Sequence, residues 1–212
     1  MSDPVNDKLL DEVAVYYSDK LAQYGEDPRG VDWNGEQSQL LRFEQLARVI
    51  QSDSAYSVND LGCGYAALYD FLAQRSPAFE YTGIDVSEDM IEAALARYRG
   101  VENANFLVSG KPATMADYGI ASGIFNVRQH CSDEDWQAYI EATLDALDQT
   151  SRIGFSFNCL TRYSDAEKMR DYLYYADPCA LFDHCKQRYS ANVALLHDYG
   201  LYEFTILVRK QS

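Results

Sequence analysis

Val58–Glu92 reads VNDLGCGYAALYDFLAQRSPAFEYTGIDVSEDMIE, and more of the fold turns on it than on any other stretch. Val58 to Leu61 has the character of a strand end, Gly62-Cys63-Gly64 of a tight turn, and Tyr65 to Arg75 of a helix. About one βα unit later a second strand, residues 80–85, runs into an acid, Asp85. Glycines let the main chain approach a ligand closely, and the helix start behind them offers unpaired N–H groups. An acid at the end of the next strand can take both hydroxyls of a ribose. Together these features predict binding of a nucleoside-containing cofactor.

Two cofactors compete. Gly62, Gly64 and Ala67 fit the G-x-G-x-x-A fingerprint of a dinucleotide fold, with Asp85 near the expected distance. Asp60, two residues before the first glycine, argues for S-adenosylmethionine (SAM) instead. An acid there sits badly beside a pyrophosphate and suits the ammonium group of a methionine moiety. The line D-L-G-C-G-Y-A, followed by G-I-D-V-S-E-D-M-I, closely resembles the class I SAM-dependent methyltransferases. In that family the acid-x-Gly-x-Gly turn cradles the amino-acid part of SAM and the acid after the second strand holds the ribose. The resemblance therefore implies cofactor contacts from Asp60, Gly62, Cys63, Gly64, Asp85 and Val86. It departs from the usual pattern at Ala66, which stands for a third glycine and is tolerable where that residue need not take φ > 0. After the third strand Ser109-Gly110-Lys111 replaces the acid that the family often places near the adenine amine, which leaves Ser109 and Gly110 as the contacts there.

Outside this stretch the chain alternates. Residues 5–24 and 36–51 carry helical stripes of apolar residues, separated by the loop GEDPRGVDWNG. Helix 88–99 has Ser87 as cap and Gly100 as stop, and Ser132 with Asp135 makes a capping box for helix 133–148. Strands are expected at 104–108, 119–125 and 152–158, then helical segments at 164–175 and 179–187, and a final strand pair at 190–197 and 202–209. Strands alternating with helices imply an α/β fold with a parallel sheet covered on both faces. Only Asp198 to Leu201 separate the last two strands, so they form an antiparallel hairpin. A dinucleotide domain would continue with another crossover helix. The methyltransferase resemblance implies a doubly wound, Rossmann-like sheet in the order 3-2-1-4-5-7-6. It also implies a division into N-terminal lid helices over 1–52 and a SAM-binding core over 53–212.

Composition narrows the partners. Thirty-three acids against 18 bases give 212 residues a net charge of −15. That average field repels polyanions, and no basic face is legible, so nucleic acid is a poor substrate. No cationic segment leads into an apolar h-region, and no apolar run approaches the ~18 residues of a membrane span. The five cysteines, an odd number, read as reduced thiols of a cytoplasmic protein. Cys179, His184 and Cys185 match no zinc spacing, so no metal is expected. His184 reads as structural or exposed.

In open α/β sheets ligands lie at the carboxyl ends of the parallel strands. Strand four is expected to end at Phe125-Asn126, leading to Arg128 and His130, strand five at Phe157-Asn158, and strand six, if parallel as the resemblance implies, at His197-Asp198-Tyr199. These tips should converge above the SAM methyl group. His197, with Asp198 beside it, is the preferred general base and His130 the second candidate. Asn126, Asn158 and Tyr199 are candidate pocket groups, although asparagines also cap loops. Tyr16, Tyr17 and Trp33 precede the core where related enzymes place a lid, and Arg42 could pair with the SAM carboxylate. SGIFNVR stands where N-P-P-Y or D-P-P-Y would mark an amino-group methyltransferase of adenine or glutamine. The expectation is a methyltransferase acting on O, N or S of a small molecule. A protein or nucleic-acid methyltransferase and a non-catalytic SAM sensor remain as alternatives.

Overall fold

The structure, a computed structural model, describes residues 4–31, 35–52, 54–75 and 78–210, with side chains from residue 9 onward. Seven strands form one sheet in the order β3-β2-β1-β4-β5-β7-β6. They are β1 (Tyr56–Leu61), β2 (Phe79–Asp85), β3 (Ala104–Val108), β4 (Ala116–Ala121), β5 (Ser151–Leu160), β6 (Asn192–Leu196) and β7 (Glu203–Arg209). The pairs from β3 to β5 are parallel, and β7 runs antiparallel to both β5 and β6. The terminal hairpin and the strand order agree with the expectation.

Among the described residues six α-helices accompany the sheet: α1 (Pro4–Tyr24), α2 (Glu36–Leu46), α3 (Ala67–Ala73), α4 (Glu88–Arg97), α5 (Asp133–Thr150) and α6 (Pro178–Arg188). Strand alternation sorts the core into two layers. Leu61, Ile84, Phe157 and Ile206 point to the face of α5 and α6, where Trp136, Ile140 and Leu144 are buried. Val58, Tyr81, Ile120 and Leu207 point to the face of α2, α3 and α4, against Phe43, Leu68 and Ala94. The β3–β4 link, residues 109–115, holds no crossover helix, and α1 contributes Leu9 to the first layer.

Three expected elements need correction. Strand four ends at Ala121, not at Phe125: its partner β1 ends at Leu61 opposite Ala121, and Gly123 then turns the chain with φ 79°. The apolar pair Ile124-Phe125, with Phe125 fully buried, imitated a strand. Strand five runs on to Leu160 because β7 pairs with it as far as Leu160–Glu203, which puts Asn158 inside the ladder and not at a tip. Residues 164–175 are not a helix beyond the single turn Ala166–Lys168. The main chain of 172–174 instead bonds to 126–129, with Tyr174 N donating to Asn126 O (2.8 Å) and Arg128 N to Tyr172 O (3.1 Å).

Candidate cofactor and acceptor cleft

The carboxyl ends of β1, β2 and β4 open into a cleft with about 850 Å³ of empty space, continuous in part with solvent. Its floor is the Gly62–Gly64 turn. Gly62 and Gly64 have φ of 74° and 55°, and the amides of Gly62 and Cys63 both donate to Ile84 O on β2 (2.7 and 3.1 Å). A side chain at Gly62 would meet Ile124 at 2.0 Å, so only glycine lets Ile124 pack directly on the turn. Ala66 takes φ 62°, the left-handed region. The condition under which alanine would be harmless there is not met, and the strain is on the order of 1–2 kcal/mol. The turn holds it because Ala66 is fully buried, its amide donates to Cys63 O (2.9 Å) and its carbonyl accepts from the Tyr98 hydroxyl (2.8 Å).

Two buried carboxylates flank the turn. Asp85 accepts from Gly64 N at Oδ2 and from Ser87 N at Oδ1, both at 2.9 Å, which fixes its plane while each oxygen keeps a lone pair. Burial raises its pKa, and the amide bonds oppose the rise. Asp60 differs. Its Oδ2 accepts a 2.5 Å bond from the Tyr81 hydroxyl, while Oδ1 is buried with no partner among the described residues. Burial pushes its pKa up to about 7, only partly offset by Tyr81. An unsatisfied carboxylate oxygen at the cleft wall fits a ligand that brings a cation.

The walls come from elements distant in sequence. Val86, Ser109 and Gly110 line the cleft on the β2–β3 side, and Ser122, Gly123 and Ile124 on the β4 side. Leu10, Val13 and Tyr17 of α1 and Val31 form the side toward the N-terminal segment, with a hydroxyl contact of 2.9 Å between Ser18 and Ser87 tying α1 to the β2 loop. Tyr139 of α5 completes the lining, its phenol pushed by burial to about 12. Tyr17, expected from the sequence beside the acceptor site, does line the cleft. Ser122 and Ile124 escaped the sequence reading because strand four was drawn too long, and Leu10, Val13 and Tyr139 belonged to helices whose division between core and cleft no periodicity reveals.

Other expected site residues lie elsewhere. Arg42 is buried, but it pairs with Glu203 through two 2.7 Å bonds instead of lining the cleft. Asn158 donates to Glu203 Oε2 (2.7 Å) and accepts from Gly123 N (2.8 Å), and Asn126 accepts from Leu160 N (3.0 Å). Both asparagines thus fasten main chain. His130, His197 and Asp198 are exposed and outside the lining, and the Tyr199 hydroxyl lies 3.1 Å from that of Thr205. The expected convergence of strand tips four, five and six fails because β6 is at the sheet edge, with β7 and β5 between it and β4. Tyr16 stacks edge-on against Tyr17 at 5.2 Å without lining the cleft, and Trp33 lies outside the described residues.

A family model described as "Methyltransferase domain" matches residues 58–150. A Mycobacterium tuberculosis (strain ATCC 25618 / H37Rv) protein named "Putative methyltransferase Rv1506c" is 62% identical over 165 residues, 78% of this chain and 99% of that protein. This chain belongs to the class I SAM-dependent methyltransferases. Solved members share the fold of this methyltransferase at low identity. Magnesium protoporphyrin IX methyltransferase from Synechocystis PCC 6803 with bound SAM superposes with a TM-score of 0.66 at 16% identity, covering 99% of each chain. N-methyltransferase NodS from Bradyrhizobium japonicum WM9, in complex with S-adenosylhomocysteine, gives 0.63 at 15% identity, covering 94% of this chain and 98% of that one. The methyltransferase uses SAM, and the glycine turn in the cleft lining and the unsatisfied Asp60 oxygen suit that cofactor. No helix among the described residues is long and apolar enough to cross a membrane.

Proposed function

We propose that this methyltransferase transfers a methyl group to an O, N or S atom of a small molecule of the cytoplasm. The carrying observation is the placement of Asp60 and Asp85 on either side of the Gly62–Gly64 turn in one cleft. In this reading Asp60 meets the ammonium of SAM, Asp85 the ribose hydroxyls, and Val86, Ser109 and Gly110 the adenine side. When bound, SAM supplies an electrophilic methyl carbon, and the C–S bonding pair goes to sulfur as the acceptor's lone pair makes the new bond. The protein's own part is to orient the acceptor and exclude water, which can supply much of the acceleration.

A small acceptor is favoured by the cover that Leu10, Val13 and Tyr17 give the cleft and by the net charge of −15, which opposes binding of a nucleic acid. Of the segment 1–52 expected to form a lid, α1 and Val31 act as the roof, whereas α2 packs on the sheet as part of the core. The named acceptor of the Synechocystis neighbour, magnesium protoporphyrin IX, is likewise a small molecule. With His130 and His197 outside the lining, positioning rather than a histidine base carries the reaction. The test is incubation with methyl-labelled SAM and a cell extract. Label should appear in the low-molecular-weight fraction together with S-adenosylhomocysteine; label in protein or nucleic acid, or none anywhere, overturns the reading.

A further inference from the structure

We propose that Tyr81 is a positioning residue of the cofactor site, its hydroxyl fixing the Asp60 carboxylate so that Oδ1 alone is presented to the amino-acid end of SAM. The inference rests on the reading that Asp60 meets the SAM ammonium. Tyr81 lies in the middle of β2, fully buried, with Tyr69 edge-on at 5.5 Å and Phe106 at 6.0 Å. Close packing of the buried ring opposes its movement, so the 2.5 Å bond to Oδ2 is held by the core. The opposite oxygen is the one buried carboxylate atom at the cleft that no described residue satisfies.

The hydroxyl also has an electrostatic part. The groups facing Asp60 are Tyr81 and Asp85 from β2 and Cys63 from the turn. None of them is a cation, and Asp85 disfavours ionisation of Asp60 further. Donation from Tyr81 is the interaction on Asp60 that favours the charged form. Without it Asp60 would hold its proton to higher pH, and a neutral carboxyl attracts an ammonium weakly. Tyr81 acts through Asp60 and touches no part of the cofactor in this scheme.

Isothermal titration tests it with two probes, SAM and 5′-deoxy-5′-methylthioadenosine, which lacks the amino-acid end. In the unaltered protein SAM affinity should rise about tenfold per pH unit below a midpoint near pH 7, a rise that the truncated nucleoside, with no ammonium for Asp60, does not share. Tyr81→Phe keeps the ring and its packing. It should move the SAM midpoint upward by about one pH unit and weaken SAM by roughly tenfold below it, with the truncated probe unchanged. Superimposable SAM profiles for the two proteins overturn the role of Tyr81. A flat SAM profile in the unaltered protein instead overturns the Asp60 reading beneath it. Should Tyr81→Phe fail to fold, replacement of tyrosine by 3-fluorotyrosine, a stronger donor, must move the SAM midpoint downward; an unmoved midpoint rejects the proposal.

Discussion

Asp60 on β1 and Glu203 on β7 are buried on the same face of one sheet, each only 2% exposed, yet their surroundings are opposite. Glu203 is saturated: Arg42 grips both its oxygens at 2.7 Å and Asn158 adds a third bond at 2.7 Å. Asp60 has one neutral donor, a second acid nearby and an oxygen with no partner among the described residues. Burying a carboxylate is costly in both places, and only Glu203 recovers the cost within the fold. The difference separates two uses of a buried acid. Glu203 joins α2, β5 and β7 and, through Asn158, holds Gly123 beside the cleft. Asp60 is left incomplete by the described residues, and in the proposed reading the ammonium of SAM completes it.

The contrast breaks most directly through stability. Glu203→Ala leaves Arg42 charged, buried and without its bidentate partner, and should cost about 3–5 kcal/mol in urea unfolding. Asp60→Asn should do the reverse to the ligand-free protein. Its folded pKa of about 7 lies above the ordinary aspartate value of 3.8, so between those values the native state holds a proton that the unfolded state releases. Stability from this group therefore falls as pH rises through that window, and the penalty is complete above pH 7. The amide has no such penalty and should be at least as stable as the parent at pH 8, with a flatter pH dependence, while SAM binding weakens by about 1.5–3 kcal/mol. A loss of stability at pH 8 comparable to that of Glu203→Ala would put the two acids in one class and end the comparison. Between these extremes, Asn158→Ala should cost about 1–3 kcal/mol, because both Gly123 N and Glu203 Oε2 lose a partner. Hydrogen exchange at Gly123 should accelerate in that variant more than exchange along β1.

The placement of the cofactor half was legible in the sequence. Asp60, Gly62, Gly64 and Asp85 meet in one cleft because they sit on a turn and at the end of the adjacent strand, and local spacing encodes both; the contacts given to each belong to the proposal. The satisfied half was not. Arg42 and Glu203 are 161 positions apart, and nothing in helix 36–46 or in the last strand marks them as partners. Arg42 alone looks like a cation waiting for a carboxylate, and the ligand's was as good a guess as Glu203's. The β4 wall was hidden for a different reason. Ile124 and Phe125 have strand-like character, but β1 gives no partners beyond Leu61, so tertiary pairing ended the strand where propensity would have continued it. Ala66 shows local strain overruled by packing: a left-handed alanine persists because its amide, its carbonyl and its burial are all fixed.

The smallest effect is expected at the tip of β6. His197 is exposed, and its ring lies 6.0 Å from those of Tyr163 and Phe204, a distance at which little apolar area is covered. Replacing it by alanine removes no hydrogen bond recorded for its side chain, so stability should change by less than about 0.5 kcal/mol. Affinity for S-adenosylhomocysteine should not change, since β6 is separated from β4 by two strands and His197 is not part of the cleft lining. Turnover is the sharper reading. If positioning drives the transfer, the rate with a labelled acceptor stays within about threefold of the parent. A hundredfold fall in rate with cofactor affinity intact would bring the edge of the sheet into the reaction, through an acceptor long enough to reach from the cleft to β6. The division drawn between the completed and the incomplete acid would then need a third, catalytic region beside it.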